Sequence, residues 1–590
     1  MKITKFLTIA LSSVFALTAC TDSFLDKVPD ERTEITTEKK VVQLLTSAYP
    51  SSSYMWLSEL MSDNIIDNQA PHLPTSPGAK QTMSKYNYSS YARWDDQIYR
   101  FESATMATYN DWDSPGQLWS FYYSSIATVN HALEAMDKIV ASNGGTESEV
   151  LKAARAEALL IRAYSHFMLA QLFSPAYMNK EKSSQPDQVG VPYVTEVEDQ
   201  VRKNYSRGTV YDTYMNIKKD LEAALPNISD RNYNKPKWHF NVNAAHAFAA
   251  RFYLTIREYE KVIEHANAVL GTDIAQSAQY TTDYSRFTSD LSSFSDYAKV
   301  WQSPEAQSNL MLLATYSIHY RRTFGYRYSC AGPAARAAFM YTASNPLWSA
   351  YYVPAFSVIG FTAASSSAQD YGMTTTKIGE EFEYSDKIAG IGYPHIIIPA
   401  FTGNVLLLER AEAKCMLGDL NGAAEDLMAY WNNGIDSFDE EQIKSWVDNN
   451  RIRRLTNDDG SYSIQKIYGR AKDSNANIIM DWSFTSQYIS PDFVVTAEMM
   501  PYMNCINEFR RYETALQGMR FFDLKRWGME YSHTYAQDGV VNTITLKGDD
   551  PRRAIELPWE TLASGMESSR PTVSAAKKDI LKDDKAHVVK

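Results

Sequence analysis

The chain of 590 residues carries 58 Lys and Arg against 70 Asp and Glu, a formal charge of −12 at pH 7. With no compensating basic tract in view, that balance argues against nucleic acid as a partner. Its 39 Tyr and 12 Trp go with a mean hydropathy of −0.38, so many aromatics are expected near the surface, as in a ligand-binding protein, although aromatics also fill ordinary cores.

Lys2 and Lys5 open the chain, and Phe6 to Leu17 is an apolar run too short to span a bilayer. This is the pattern of a secretory leader, so residues 1–19 are set apart from the fold. Leu17-Thr18-Ala19-Cys20 resembles the lipobox of bacterial lipoproteins, which implies cleavage before Cys20 and acylation of that cysteine. No later stretch is long and apolar enough to cross a membrane, so the mature protein is expected to be anchored by lipid rather than inserted. Cys330, Cys415 and Cys505 remain, an odd number that gives no disulfide framework; Cys415 lies in a helical pattern and reads as a small core residue.

Residues 20–37 are polar and read as a tether, with 38–590 as one domain. A first helix is expected at about Glu38 to Tyr49, with Trp56 to Met61 continuing the packing after Pro50. Ala70 to Ser90 reads as loop, and Tyr86, Tyr88, Tyr91, Trp94, Tyr99 and Trp112 punctuate this polar ground without a steady helical period. Helical order returns at Leu118, where Trp119, Tyr123, Ile126, Asn130 and Leu133 recur every three or four residues until Asn143-Gly144-Gly145. Glu149 to Phe173 is the longest uninterrupted helix, 176–207 a polar connector, and Thr209 to Leu225 a helix stopped by Pro226.

Val242 to Leu270 carries two apolar stripes, Ala245, Phe248, Ala249, Phe252 and Tyr253, then Tyr259, Val262, Ile263, Ala266 and Leu270, separated by Arg257-Glu258. Two short helices this close must turn back and bury their facing stripes. The pattern returns at Val405 to Tyr430, where Ala411, Leu420 and Ala423 stand for Ala250, Tyr259 and Val262; a small residue in each helix around a Gly-Asp turn is the logic of tetratricopeptide units. Two unrelated amphipathic hairpins would read the same way, and in either case the body is mainly α.

Residues 271–400 differ, with Asn309 to Tyr316 as a strand or buried helix segment amid Gly, Ser, Pro and aromatic clusters. They read as a variable, loop-rich elaboration beside scaffold helices at about 118–270 and 404–430. Functional sites concentrate on such loops. Farther on, Asp439 to Leu455 and Glu508 to Trp527 are expected to be helical, Thr456 to Gly460 a solvated turn, and Lys547 to Trp559 an extended closing segment.

No GxSxG elbow, phosphate loop, HExxH pair or zinc-spaced Cys/His cluster occurs in the sequence. No enzyme, metal or cofactor is therefore expected. A helical glycoside hydrolase is the weakest alternative, since among 70 acidic residues spacing selects no particular pair.

Several motifs together resemble the SusD/RagB family of outer-membrane nutrient-binding lipoproteins of the Bacteroidetes. Cys20 is followed by Phe24-Leu25-Asp26; Trp119, Tyr123, Ile126 and Asn130 match an early helix; Arg155, Glu157, Ala158, Arg162, Ala163, Tyr164, Phe167 and Leu169 match the most recognisable segment. Glu412-Ala413 with Leu417-Gly418-Asp419 follows, then Glu508 to Arg511 and Gly518 through Arg520, Asp523, Arg526 and Trp527. The resemblance spans nearly the whole chain. It implies a SusD-like fold with four tetratricopeptide-like units as a superhelical scaffold, and a variable region alongside. It further implies a lipid-anchored protein facing the cell exterior, which captures oligosaccharide or polysaccharide and delivers it to a SusC-like TonB-dependent transporter in the outer membrane. Peptide-derived nutrients or a structural surface role are the alternatives. Phe401-Thr402, Gln517 and Glu556-Leu557-Pro558 depart from the family pattern and put local salt bridges in doubt. Arg155, Glu157 and Arg162 are expected to pair internally, because their helix is partly buried.

Sugars present apolar ring faces edged by hydroxyls, so a binding site needs aromatic rings beside polar groups. The expected platforms are Trp94, Trp112, Tyr320, Tyr326 and Tyr328, supported by Asp96, Asn110 and Arg321, all in irregular polar stretches off the helical stripes. At least two of them are expected to share one exposed face.

Overall fold

A computed structural model describes residues 35–70, 92–331, 371–432 and 493–570, apart from 107, 199–202, 289, 324–326 and 569, with residue 440 and short strands between 356 and 481. The leader, Cys20, most of the tether, Tyr326 and nearly all of the helix and turn expected at 439–460 lie outside the described residues.

Helices begin where the sequence offers a side-chain acceptor to the free amides of a first turn. Thr37 caps α1 (Glu38–Leu45), which ends a turn earlier than expected, and α2 (Met55–Leu60) follows. The polar stretch after it is not all irregular: Arg93–Tyr99 forms α3, with Asp95 Oδ2 accepting the Ala92 amide at 2.9 Å. Ser114 caps α4 (Pro115–Ser142), whose first position is proline, and Ser148 caps α5 (Glu149–Phe173). Thr209 and Asp212 form a reciprocal capping box at α6 (Val210–Ala224).

The hairpin of α7 (Val242–Ile256) and α8 (Tyr259–Leu270) turns through Arg257 in the left-handed region, φ 66°. β1 (Asn309–Tyr316) and the short α9 (His319–Thr323) follow, then β2 (Glu380–Asp386) and β3 (Ile391–Thr402). The second hairpin is α10 (Gly403–Met416) and α11 (Leu420–Asn432). α12 (Met500–Glu513), α13 (Met519–Trp527) and the strands β4 (Tyr531–Gln537) and β5 (Val540–Leu546) follow. Both hairpins bury their small residues, Ala250 and Ala411 among them, and α8 packs on α10.

One buried apolar cluster runs from Val41 on α1 to Leu557 in the closing segment. Salt bridges run through it. Arg510 and Asp523 pair bidentately at 2.9 Å each, and Arg520 holds Asp63 at 2.8 and 2.9 Å. Arg162 on α5 grips Asp220 on α6 at 2.7 and 2.8 Å. Fully buried pairs of this kind fix geometry, because each remaining charge is costly once its partner is removed. Glu412 on α10 accepts from the Arg526 guanidinium and, at 2.9 Å, from the Trp527 indole.

The other motif residues also fasten elements together. Tyr123 donates to the Pro192 carbonyl at 2.9 Å and Asn130 to that of Val194 at 3.1 Å, tying the extended connector to α4. Trp119 meets Phe173 edge-on at 5.2 Å, and Tyr164 lies among Phe240, Phe248 and Phe401. Arg155 pairs with Glu147 and Asp137, and Glu157 accepts from Tyr49 and His239 at 2.8 Å. At the end of α5, Lys525 and Arg207 donate to buried carbonyls of the last turn, and the Ile555 amide bonds the Leu172 carbonyl at 2.9 Å. Of the departures from the family pattern, Phe401 sits 4.6 Å beneath the Arg251 guanidinium and Gln517 donates to the Glu513 carbonyl at 2.8 Å.

The elaboration at 271–400 is more ordered than its composition suggests. β1, β3 and β2 form an antiparallel sheet in that order, with Tyr316 opposite His395 and Glu383 opposite Tyr393. Strand periodicity then sorts the side chains. Pro394, Ile396, Ile398 and Ala400 point into the core, while Tyr393, His395 and Ile397 alternate with them onto the outer face.

Candidate functional site

The outer face of that sheet carries an aromatic cluster. Tyr316 from the end of β1 and Tyr393 from β3 lie 5.7 Å apart, and Trp112 from the loop before α4 stands 6.2 Å from each. Phe121 on α4 backs Tyr316 at 6.3 Å. The three rings meet at 47°, 66° and 67°, within the tilted geometries that aromatic pairs favour. Tyr393 is 46% exposed, and Trp112 and Tyr316 are half-buried.

The Trp112 loop is held from several sides. Asp113, at φ 61°, points its carboxylate into the protein, where it accepts from the Ser317 hydroxyl at 2.5 Å and the Ile318 amide at 2.9 Å. Burial raises the Asp113 carboxyl to about 6 against the lowering effect of those two donors. Gln117 accepts the Asp113 amide at 3.0 Å, and Glu560 near the C-terminus accepts the amides of Thr108 and Tyr109 at 2.6 and 3.0 Å. A Cβ at Gly116 would lie 2.6 Å from Thr108 Oγ1 and 2.9 Å from the Tyr109 amide, so the turn closes only over glycine. A half-buried ring on a loop fixed this way needs little ordering when it binds.

The expected platform residues divide. Trp112 is in the cluster, with Asn110 exposed beside it. Trp94 is not at the surface: its exposure is 0%, on α3, and the Arg322 guanidinium lies 5.1 Å over its ring. Tyr328 is 2% exposed and donates to Asp96, which also pairs with Arg100 at 2.9 Å and Arg327 at 3.3 Å. Burial raises the Tyr328 phenol far above its ordinary value. Both residues therefore correct the expectation of exposure. Polar neighbours in sequence did not imply solvent, because α3 buries Trp94 and Asp95 against α2, where Trp56 donates to Asp95 at 2.8 Å. Tyr320 is half-buried against Phe294 at 6.0 Å, and the exposed Arg321 bonds Glu380 at 2.7 Å.

Tyr393 escapes a reading of the sequence because it stands between Gly392 and Pro394, residue types that argue against a strand interior. The signal for it is the period-two series Pro394, Ile396, Ile398 and Ala400, which puts Tyr393, His395 and Ile397 on the opposite face.

A concavity of about 530 Å³ beside α4 and α5 is lined by Asn130, Asp137, Arg155, Arg162 and Glu196 among others, but both arginines are already committed to carboxylates. Among the described residues no three His, Cys, Asp or Glu side chains come together as a metal site, and no helix is long and apolar enough to cross a membrane.

Residues 23–254 match the family model of SusD-like proteins described as starch-binding and associating with outer membrane. No curated protein matches the chain. Among solved structures, a protein from Bacteroides vulgatus provisionally assigned to sugar binding is 18% identical, covers 91% of this chain and 99% of its own, and gives a TM-score of 0.55. A SusD superfamily protein from the same organism, also 18% identical, gives 0.53 over 91% and 99%. One from Bacteroides thetaiotaomicron, 16% identical, gives 0.52 over 90% and 99%. These likenesses establish the fold.

Proposed function

We propose, from the family-model match over residues 23–254 and the fold shared with SusD superfamily structures, that the chain is a SusD-like protein, a cell-surface glycan-binding lipoprotein serving an outer-membrane transporter. The observation that carries the glycan reading is the cluster of Trp112, Tyr316 and Tyr393, three rings on a solvent-facing sheet beside a loop fixed by Asp113 and Glu560. Pyranose rings stack their C–H faces on such aromatics, and the adjoining Asn110 and Glu383 supply hydrogen-bonding groups for the hydroxyls. Trp112, Tyr316 and Tyr393 thus form the binding face, with Asn110 and Glu383 at the edge. No group in this arrangement is asked to do chemistry.

Anchorage through acylated Cys20 completes the reading. One acyl chain gives only marginal membrane binding, so durable anchorage needs more than one. Intact mass of the native protein tests this; an unmodified Cys20 or a retained Met1 contradicts it. Purification from native membranes in mild detergent should recover a large β-barrel transporter at near-equal stoichiometry, and consistent recovery without one would count against a stable complex. A glycan array should return at least one oligosaccharide ligand. Binding to peptides alone would reject the carbohydrate assignment, and altered envelope integrity with intact nutrient uptake on deletion would favour a structural role.

A further inference from the structure

The cluster's surroundings carry a charge pattern that bears on which glycans it accepts. Glu381 and Glu383 point from β2 onto the same outer face as Tyr393 and His395, their cross-strand partners. Asp111, next to Trp112, is exposed on the loop. From Glu380 to His395 the hairpin holds four carboxylates, Glu380, Glu381, Glu383 and Asp386, against Lys387 at its turn and the His395 imidazole, which stands 3.9 Å from Glu381.

The arginines nearby are turned away. Arg321 is bonded to Glu380, which alternates with Glu381 and lies on the other face of β2. Arg322 sits behind the loop, donating to Asp95 at 2.5 Å and to the Trp112 carbonyl at 3.4 Å. The rings are therefore bordered by exposed carboxylates.

We propose that Glu381, Glu383 and Asp111 make this platform selective for glycans without anionic groups, neutral or amino sugars, and exclude uronic-acid and sulfated polysaccharides. This rests on the platform reading above and adds the element of repulsion that specificity requires. A sugar carboxylate brought within about 4 Å of a rim carboxylate in water loses roughly fivefold in affinity, and the loss accumulates along a polyanion. Amino sugars gain by the same interaction. Salt screens both effects, since the Debye length falls from about 10 Å at 0.1 M to about 3 Å at 1 M.

The test uses the full mature protein and three oligosaccharide series of equal length: neutral hexose, amino sugar and hexuronic acid. The neutral and amino series should bind, and the uronic series should bind at least fivefold more weakly at low salt. The gap should narrow in 1 M salt and in the Glu381→Gln/Asp111→Asn double variant, whose circular dichroism and Tm confirm folding. A uronic or sulfated glycan that binds at least as tightly as its neutral counterpart, and depends on Trp112, overturns the charge inference while the platform stands. A gap unchanged in the double variant also overturns it. If no series loses affinity in Trp112→Ala and Tyr393→Ala, the platform itself is wrong and this inference falls with it.

Discussion

Asp113 holds the Trp112 loop with both carboxylate oxygens while sitting at φ 61°, a conformation that Asp and Asn tolerate better than most residues. Asp113→Ala should cost about 1–3 kcal/mol by leaving the Ile318 amide unpaired, and should weaken ligand binding with it. Asp113→Asn can still accept that amide and donate to Ser317, so it should be close to neutral. The pH signature is specific. Because the folded carboxyl is raised to about 6 from 3.8, its contribution favours the native state below pH 4 and is lost as pH rises to 6, by at most about 3 kcal/mol. Asp63 works the other way: burial would raise it, but Arg520 and Arg511 outweigh burial and hold it at about 2. Its contribution of about 2 kcal/mol is present above pH 4 and lost as pH falls to 2. Urea denaturation across this range should show a flatter profile between pH 4 and 6 in Asp113→Asn; an unchanged slope would contradict the assignment. Two tryptophans give a sharper contrast. Trp94→Ala, at a fully buried site, should lose about 3–5 kcal/mol, whereas Trp112→Ala should stay within about 1 kcal/mol while losing ligand.

At the scale of elements, α10, α12 and α13 are joined through charge. Glu412 faces Arg526 and the Trp527 indole, and Asp523 lies between Arg510 and Arg526. Glu412→Ala should destabilise by about 3 kcal/mol or more, because a buried guanidinium loses a partner; Glu412→Gln should cost less. Denaturant midpoints for both variants measure this, and equal losses would mean that charge is not what matters there. The helices were legible because long apolar stripes and capping residues repeat one message: Ser148 to Phe173 and Val242 to Leu270 emerge with boundaries near those the pattern predicts. The β1–β3–β2 sheet was not. Gly392 and Pro394 sit inside a β-strand run, where each normally argues against one, and the pairing of β1 with β3 spans some eighty residues that no local period reveals. Trp112 could be picked out as an aromatic in polar surroundings, but the same criterion selected Trp94 and Tyr328. What separates them is tertiary packing.

Across the molecule, contacts between distant parts of the chain are many. Asp63 meets Arg520, Leu172 meets Ile555, and Tyr99 stacks on His533 at 4.3 Å. With one apolar cluster reaching from α1 to the closing segment, the chain should behave as one cooperative unit. Calorimetry should show a single transition and limited proteolysis a stable body trimmed at its loops; separation into two independently folded halves near residue 235 would contradict this. The central claim is that the Trp112–Tyr316–Tyr393 face binds glycan. Calorimetric titration of the preferred array ligand into the parent protein, Trp112→Ala and Tyr393→Ala, each matched for Tm, tests it most directly. The account predicts at least a tenfold loss of affinity in each variant with little change in Tm, since stacking on an aromatic is worth about 1–3 kcal/mol. Parent-like affinity in both variants would contradict it.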